Sequence, residues 1–418
     1  MVLTQVPDLD RKVGMLVYAR PDVYVGNYLE FKQSSMTFIV KEVGINGLVA
    51  DISLCLNSSD LRHKLEDLLL KHKYSLLIMC KDNLSTFDAV SVVSKALGSA
   101  KVGFAGLKDT NAYTCQFITV ESTYLPRLAR LVRGVVAEFR YLGGRVWVCA
   151  TELGLSTNLR RGDLLGNSFT IKLLLKPSKS FDDVKEVLNN LRNALLPNYF
   201  GYQRFGSRRP ITHLVGKELL LGNYEGAIDV LVGESSPFES SEVSEARKLF
   251  REGRLRDSLK LLPSKFWLER KVINELLNGK SAKEAIYSLG SKYLSLFIEA
   301  YQSYLFNLAL SKLIIDLGSI EEVASRCDVI KLPSINVKYG DDSCDLVVKE
   351  ITKEYLSNAS TEFVRFLRRG VRGTSFMVED LSIDYDGRYV VLNFRLSPST
   401  YASVVLRELL RESVVDAF

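Results

Sequence analysis

The residues best equipped for chemistry lie in GFAGLKDTNAYTCQF, residues 103–117. An apolar run there enters a glycine turn, presents Lys108 and Asp109 side by side, and leaves into a second alternating run. Rigid strands commonly hold catalytic groups on the loops that join them. An ionised carboxylate beside an ammonium can act as a nucleophile or a base. A turn aspartate that satisfies its own backbone has the same signature, so this stretch alone leaves both readings open. What the chain lacks narrows the chemistry. His63, His72 and His213 do not have the spacing of zinc ligands. No GxSxG elbow or GxGxxG fingerprint occurs, and Gly216-Lys217 is followed by Glu218 instead of completing a Walker A loop. An enzyme built this way is expected to use carboxylates, cations and aromatic rings, with no metal and no nucleotide cofactor.

The elements that must position this pair can be read from apolar periodicity. Residues 36–56 read as extended, 58–71 as helix, 74–80 as strand and 85–97 as helix closed by Gly98. Strands follow at 101–105 and 115–120, a helix at 125–132, and strands near 135–142, 145–151 and 166–175. A helix over 181–195 precedes Pro197, and from about 207 to 325 the pattern is mainly helical. The spacing predicts another helix over 350–369, a strand over 389–396 and a short helix over 400–411. Strands at both ends with helices between them predict an α+β fold. Its mixed, largely antiparallel sheet is formed by both ends of the chain, around a mainly helical insertion. The expected division is a core from 1–200, an insertion from 201–375 and closing core elements from 376–418.

The bulk properties fit a globular protein of 418 residues with a net charge of +6. No apolar run approaches the ~18 residues of a membrane span, and the N-terminus lacks the pattern of a secretory signal. Residues 247–271 hold nine Lys/Arg against three acids. Arg365, Arg368, Arg369 and Arg372 would form one stripe on a helix. Either cluster could be a solvated face, but together they suggest phosphate contacts. The six cysteines form no CxxC pair, and four lie in strand-like runs. They are expected to be free thiols in a reduced, cytoplasmic setting.

GLKDxxAxTxQ (Gly106, Leu107, Lys108, Asp109, Ala112, Thr114, Gln116) resembles the signature of the TruD family of tRNA pseudouridine synthases. PNYFGYQRFG (197–206), GNSFTI (166–171) and LSPSTYASVVLREL (396–409) resemble further hallmarks of that family, in the same order. The spacing of Lys32, Phe38 and Glu42 is similar to its N-terminal motif, although Ser34-Ser35-Met36-Thr37 stands where the family often has proline and acids. The resemblance implies an isomerase that acts on tRNA as a monomer. Asp109 would be the catalytic aspartate, Lys32 the basic residue that pairs with it, and Phe38 an aromatic lining the site. Asn167 and Phe169 would hold the aspartate region and stack on the target base. The target would be a base flipped from its helix, most often uridine 13 and in some relatives an anticodon-loop uridine.

A lysine beside the aspartate would lower its pKa against the effect of burial. Lys108, Arg204, Arg208 and Arg209 are expected to contact RNA phosphates, together with the 247–271 cluster. A non-catalytic tRNA-binding or RNA-folding protein on the same scaffold is the alternative. A methyltransferase would need a glycine-rich loop that the chain does not contain.

Overall fold

The computed structural model describes residues 2–414, so Met1 and the 415–418 end of the closing segment lie outside the described residues. In chain order its strands are β1 (Leu29–Glu30), β2 (Phe38–Gly44), β3 (Tyr74–Asp82), β4 (Gly103–Phe104), β5 (Tyr113–Glu121), β6 (Ala137–Tyr141) and β7 (Gly144–Leu155). There follow β8 (Leu164–Leu175), β9 (Leu196–Pro197), β10 (Val329–Lys331), β11 (Val371–Gly373), β12 (Ser375–Phe376), β13 (Glu379–Tyr385) and β14 (Tyr389–Leu396). One ten-stranded sheet runs β13-β14-β8-β2-β5-β3-β7-β6, with β1 on β8 and β4 on β5. Only β2 and β5 pair in parallel; the other contacts in this sheet are antiparallel. The sheet is therefore mixed and largely antiparallel, and strands from the two ends of the chain meet where β14 joins β8.

Side chains alternate between the faces of a strand, so the register decides which residues share a face. Lys81 lies opposite Thr114, Thr114 opposite Val40, Val40 opposite Phe169, and Phe169 opposite Phe394. This row crosses five strands on one face. Two residues further along, Glu42 lies opposite Asn167 and Asn167 opposite Leu396. One end of that face is covered by the helices Ser58–His63, Leu65–Lys71, Thr86–Ala96 and Leu125–Leu131. The other end is covered by the N-terminal segment and the helix Ala402–Leu410. The polar row lies between these two apolar clusters.

Helices from Thr212 to Val364 build the second body around Ser291–Leu317. That 27-residue helix is apolar on all sides because neighbours surround it. It ends at Gly318, whose φ of 84° is the left-handed stop that glycine adopts without strain. The buried polar groups of this helix bind other segments. Asn307 donates to the carbonyls of Val13 and Phe200 and accepts from the Phe200 amide at 2.8 Å. Gly216 lets the helix Thr212–Leu220 lie directly against it, since a Cβ there would stand 2.0 Å from the Phe297 carbonyl oxygen.

Four sequence expectations change. The 350–369 helix is instead Ser343–Leu356 followed by the short Thr361–Val364. Past Gly370 the chain pairs β11 with β10, so Arg372 sits on a strand and the arginine stripe does not form. The 36–56 stretch is extended only as far as Gly44, then turns and enters a short 3-10 helix at Ile52–Leu54. The cysteines are paired, as Cys55–Cys149, Cys80–Cys115 and Cys327–Cys344. Cys80 and Cys115 face each other in the β3–β5 register, on the side of the sheet opposite Lys81. Cysteine usage therefore gives no argument for a reducing compartment. No single helix among the described residues is long and apolar enough to cross a membrane.

A buried ion cluster ties the ends of the chain together. Arg407, with no exposed surface, donates to Asp10 at 2.6 Å and to Glu408 at 2.8 Å, and also to the Met15 and Val17 carbonyls. Glu408 accepts from the Ala19 and Arg20 amides, and the Tyr202 hydroxyl donates to Asp10. Removing one member of such a cluster leaves a buried charge without its counter-ion. Arg407→Ala is expected to lower the unfolding free energy by roughly 3–5 kcal/mol, measured by urea denaturation. A loss within the range of an exposed ion pair would show that the cluster does not hold the ends.

Candidate active site

Asp109 lies on the loop between β4 and β5, and several contacts hold that loop still. The Lys108 amide donates to the Thr86 hydroxyl at 2.9 Å, at the start of a helix capped by Ser85. Gln116 on β5 donates to the Gly106 carbonyl at 3.1 Å. The Lys81 ammonium donates to the Asp109 carbonyl at 2.5 Å, and the Asn111 side chain to the Gln33 carbonyl at 3.3 Å. The Lys108 side chain turns inward, 2.7 Å from Glu42 and donating at 2.7 Å to the Asn167 side-chain oxygen. Glu42 and Asn167 are cross-strand neighbours, so the β2–β8 register delivers both partners to one ammonium. Gly166 makes this possible, because a Cβ there would stand 2.4 Å from the Leu396 carbonyl oxygen.

Asp109 itself is half-buried and forms no side-chain ion pair among the described residues. Burial raises its pKa above the usual carboxylate value, opposed first by the charge of Lys81 and then by that of Lys108. Burial also pushes Lys81 down to about 8, against the attraction of Asp109. Glu42 is raised by burial despite Lys108. The loop thus holds a carboxylate without a hydrogen-bonded counter-ion, under the field of two ammonium groups already anchored elsewhere.

Asp109 opens into a cleft of about 830 Å³ shared with Phe38, Asn167, Phe169, Arg204 and Arg208. The Phe169 ring stacks on Phe394 with centroids 5.5 Å apart and meets Phe38 at a tilt, 6.0 Å away. Gln203 also lines the cleft, accepting from the Ser403 hydroxyl at 2.8 Å. Four of the residues singled out from sequence (Phe38, Asp109, Asn167 and Phe169) therefore meet in one place.

Other sequence expectations need correction. Lys32 is exposed, and the cationic neighbours of the aspartate are Lys81 and Lys108. Lys108 is not a surface cation for RNA: its side chain is 3% exposed and neutralised by Glu42. Asn167 holds the aspartate loop through Lys108. Arg209 lies against Glu239 and Glu269 and donates to the Leu231 carbonyl, so its charge is answered inside the helical body. Several members of the 247–271 cluster also have partners. Arg247 pairs with Glu239, Arg251 with Asp229 and Glu234, and Arg254 with Asp257, while Arg270 donates to main-chain carbonyls. Lys81 and Gln203 were missed. A lysine two residues after buried Met79 on an apolar strand was the available signal for the first.

With this geometry established, comparison with known proteins identifies the family. The model of the family described as tRNA pseudouridine synthase D (TruD) matches residues 12–362. A Sulfurisphaera tokodaii protein named "Probable tRNA pseudouridine synthase D" is 34% identical over 81% of this chain and 85% of its own. Proteins of the same name from Saccharolobus solfataricus and Pyrobaculum neutrophilum are 32% and 28% identical, over 82% and 98% of this chain and 85% and 98% of their own. The crystal structure of a Methanosarcina mazei protein carrying the TruD name has the same fold. Its TM-score is 0.67 at 22% identity, and the match covers 97% of this chain and 98% of that one. The chain belongs to the tRNA pseudouridine synthase D (TruD) family and is an isomerase.

Proposed function

We propose that the protein converts one uridine of tRNA to pseudouridine, with Asp109 as the group that attacks the nucleotide. The observation that carries this reading is the carboxylate without an ion-pair partner, held in a cleft beside Phe38 and Phe169. The reaction breaks the bond between ribose C1′ and uracil N1, turns the base, and forms a bond from C1′ to C5. The carboxylate either adds to C1′ as the base leaves, or removes a C2′ proton to give a glycal. The bond to the carboxylate breaks as C5 attacks, or the glycal C2′ takes its proton back; the C5 proton is then lost and N1 gains one. Atoms balance within the substrate, and no co-reactant is required.

The target base must leave its stack to reach Asp109. Phe169 is the proposed platform, because stacking supplies roughly 1–3 kcal/mol per base and permits rotation in the ring plane. Phe38 supports that platform from the adjoining strand, and Asn167 holds Lys108 and so the loop. Arg208 is the proposed phosphate contact, with the 201–375 insertion as the far wall of the cleft; Arg204 lines the same cleft but is already paired with Glu299. Uridine 13 is the proposed position, with an anticodon-loop uridine as the second choice. A tRNA-binding protein without catalysis is the competing reading.

Asp109→Ala is expected to keep tRNA affinity within a few-fold and to abolish pseudouridine, detected by chemical mapping of the RNA. Wild-type protein that binds tRNA yet converts no uridine would establish the competing reading instead.

The reaction needs Asp109 ionised. Its raised pKa means that kcat/KM climbs with pH through a midpoint above the ordinary carboxylate range. Lys81→Met removes the largest charge opposing that rise, so the acid limb is expected to move to still higher pH. The variant should therefore be impaired more at pH 6 than at pH 8. An unmoved limb would separate Lys81 from the titration of Asp109.

Affinity should fall with salt, each phosphate contact adding roughly 0.7 to the logarithmic slope on single strands. Arg208→Ala is expected to lower the slope by about one such contact, while Arg254→Ala, paired with Asp257, leaves it unchanged. Equal slopes for all three proteins would remove Arg208 from the RNA surface.

A further inference from the structure

A second cavity of about 810 Å³ adjoins the Asp109 cleft and shares Leu107, Arg204, Leu296 and Tyr401 with it as common wall. Its charge is unbalanced. Arg161, Arg204, Lys292, Arg368 and Arg372 line it against a single carboxylate, Glu299. Glu299 is already engaged by Arg204 at 3.1 Å and by Arg368 at 2.9 Å. Arg161, Lys292 and Arg372 have no acidic partner among the described residues.

Arg372 is the most informative of the three. It lies on β11, held rigidly by neutral groups. Its Nε donates to the Asn198 carbonyl at 3.0 Å and its Nη2 to the Asn198 side-chain oxygen at 2.7 Å. Its guanidinium carbon sits over Phe200, 4.0 Å from the ring centre, with the Tyr401 ring centre 5.9 Å away. Holding a guanidinium in an apolar setting without a counter-ion is costly. Every hydrogen bond recorded for it runs to main-chain or amide oxygen, so its full positive charge remains for an anion from outside. Burial and the nearby charge of Arg204 accordingly lower its pKa to about 10. Arginine suits a phosphodiester in such a place, because its planar fork can meet two oxygens while its face stays on a ring.

We infer that this second cavity is a subsite for a nucleotide flanking the target uridine, with the phosphodiester between the two seated on Arg372. The inference rests on the proposed RNA reaction, and Tyr401, lining both cavities, marks where the RNA strand passes from one to the other. Lys292, 4.3 Å over the Phe87 ring, and Arg161 extend the positive wall toward the next phosphate.

The test places a neutral linkage in the substrate. Synthetic RNA carrying the uridine that the wild-type enzyme converts is made with one methylphosphonate at a time, on 2′-deoxy nucleotides, beside matched 2′-deoxy phosphodiester controls. One linkage next to the target is expected to lower kcat/KM by roughly 10- to 100-fold, the range for a charge-assisted hydrogen bond. In Arg372→Gln the same replacement should cost less than 2-fold. If that variant does not fold, Arg372→Lys, which keeps a cation, should retain only a few-fold sensitivity. Sensitivity at no flanking linkage in the wild type would overturn the subsite, as would full sensitivity persisting in the folded variants. If the wild type converts no uridine at all, the proposed reaction fails. The same scan read as dissociation constants then decides the subsite on binding alone.

Discussion

The site depends on the buried contact between Lys108 and Glu42. Two ions taken from water at this depth are stabilising only if each satisfies the other and their remaining hydrogen-bonding capacity is met. Asn167 accepts from Lys108 and the Phe117 amide donates to Glu42, so each ion has a further partner. The contact also determines where the next residue goes. With Lys108 drawn down between β2 and β8, the backbone presents Asp109 upward into the cleft, and Lys81 holds its carbonyl from β3. The cation adjacent to Asp109 in sequence is therefore an anchor, and its effect on the carboxylate comes at a distance.

This arrangement explains an apparent contradiction in the electrostatics. Two lysines near an aspartate should depress its pKa, and both do act in that direction, yet burial outweighs them. Neither ammonium hydrogen-bonds the carboxylate in the structure. A direct salt bridge would hold the group ionised but would also occupy the oxygen that now faces the cleft. The observed compromise keeps the oxygen available.

Much of the fold was legible because alternation and helical spacing survive in single segments. The meeting of Asp109, Phe38, Asn167 and Phe169 could be anticipated from motif resemblance. What could not be read was the direction of charged side chains, which depends on partners far away in sequence. Lys108 is separated from Glu42 by 66 positions, and Arg247 meets a carboxylate 22 residues away in Glu269 as well as the nearer Glu239. A count of lysines and arginines treats these as surface charge. The same blindness hid the cysteine pairs, since Cys80 and Cys115 become neighbours only once β3 and β5 are in register. The arginine stripe failed for a different reason: Gly370 and the pairing of β11 to β10 override a helical spacing that was only local.

The position of β14 has a consequence for how the protein is made. Phe394, the ring on which Phe169 rests, is made long after Phe169 itself, and Arg407 emerges later still. Until then β8 has an open edge where β14 should pair, and Asp10 lacks the guanidinium that neutralises it. A nascent chain can therefore carry Asp109 and most of its cleft while lacking the support beneath Phe169. A chain cut before β14 is therefore left without the ring on which Phe169 rests.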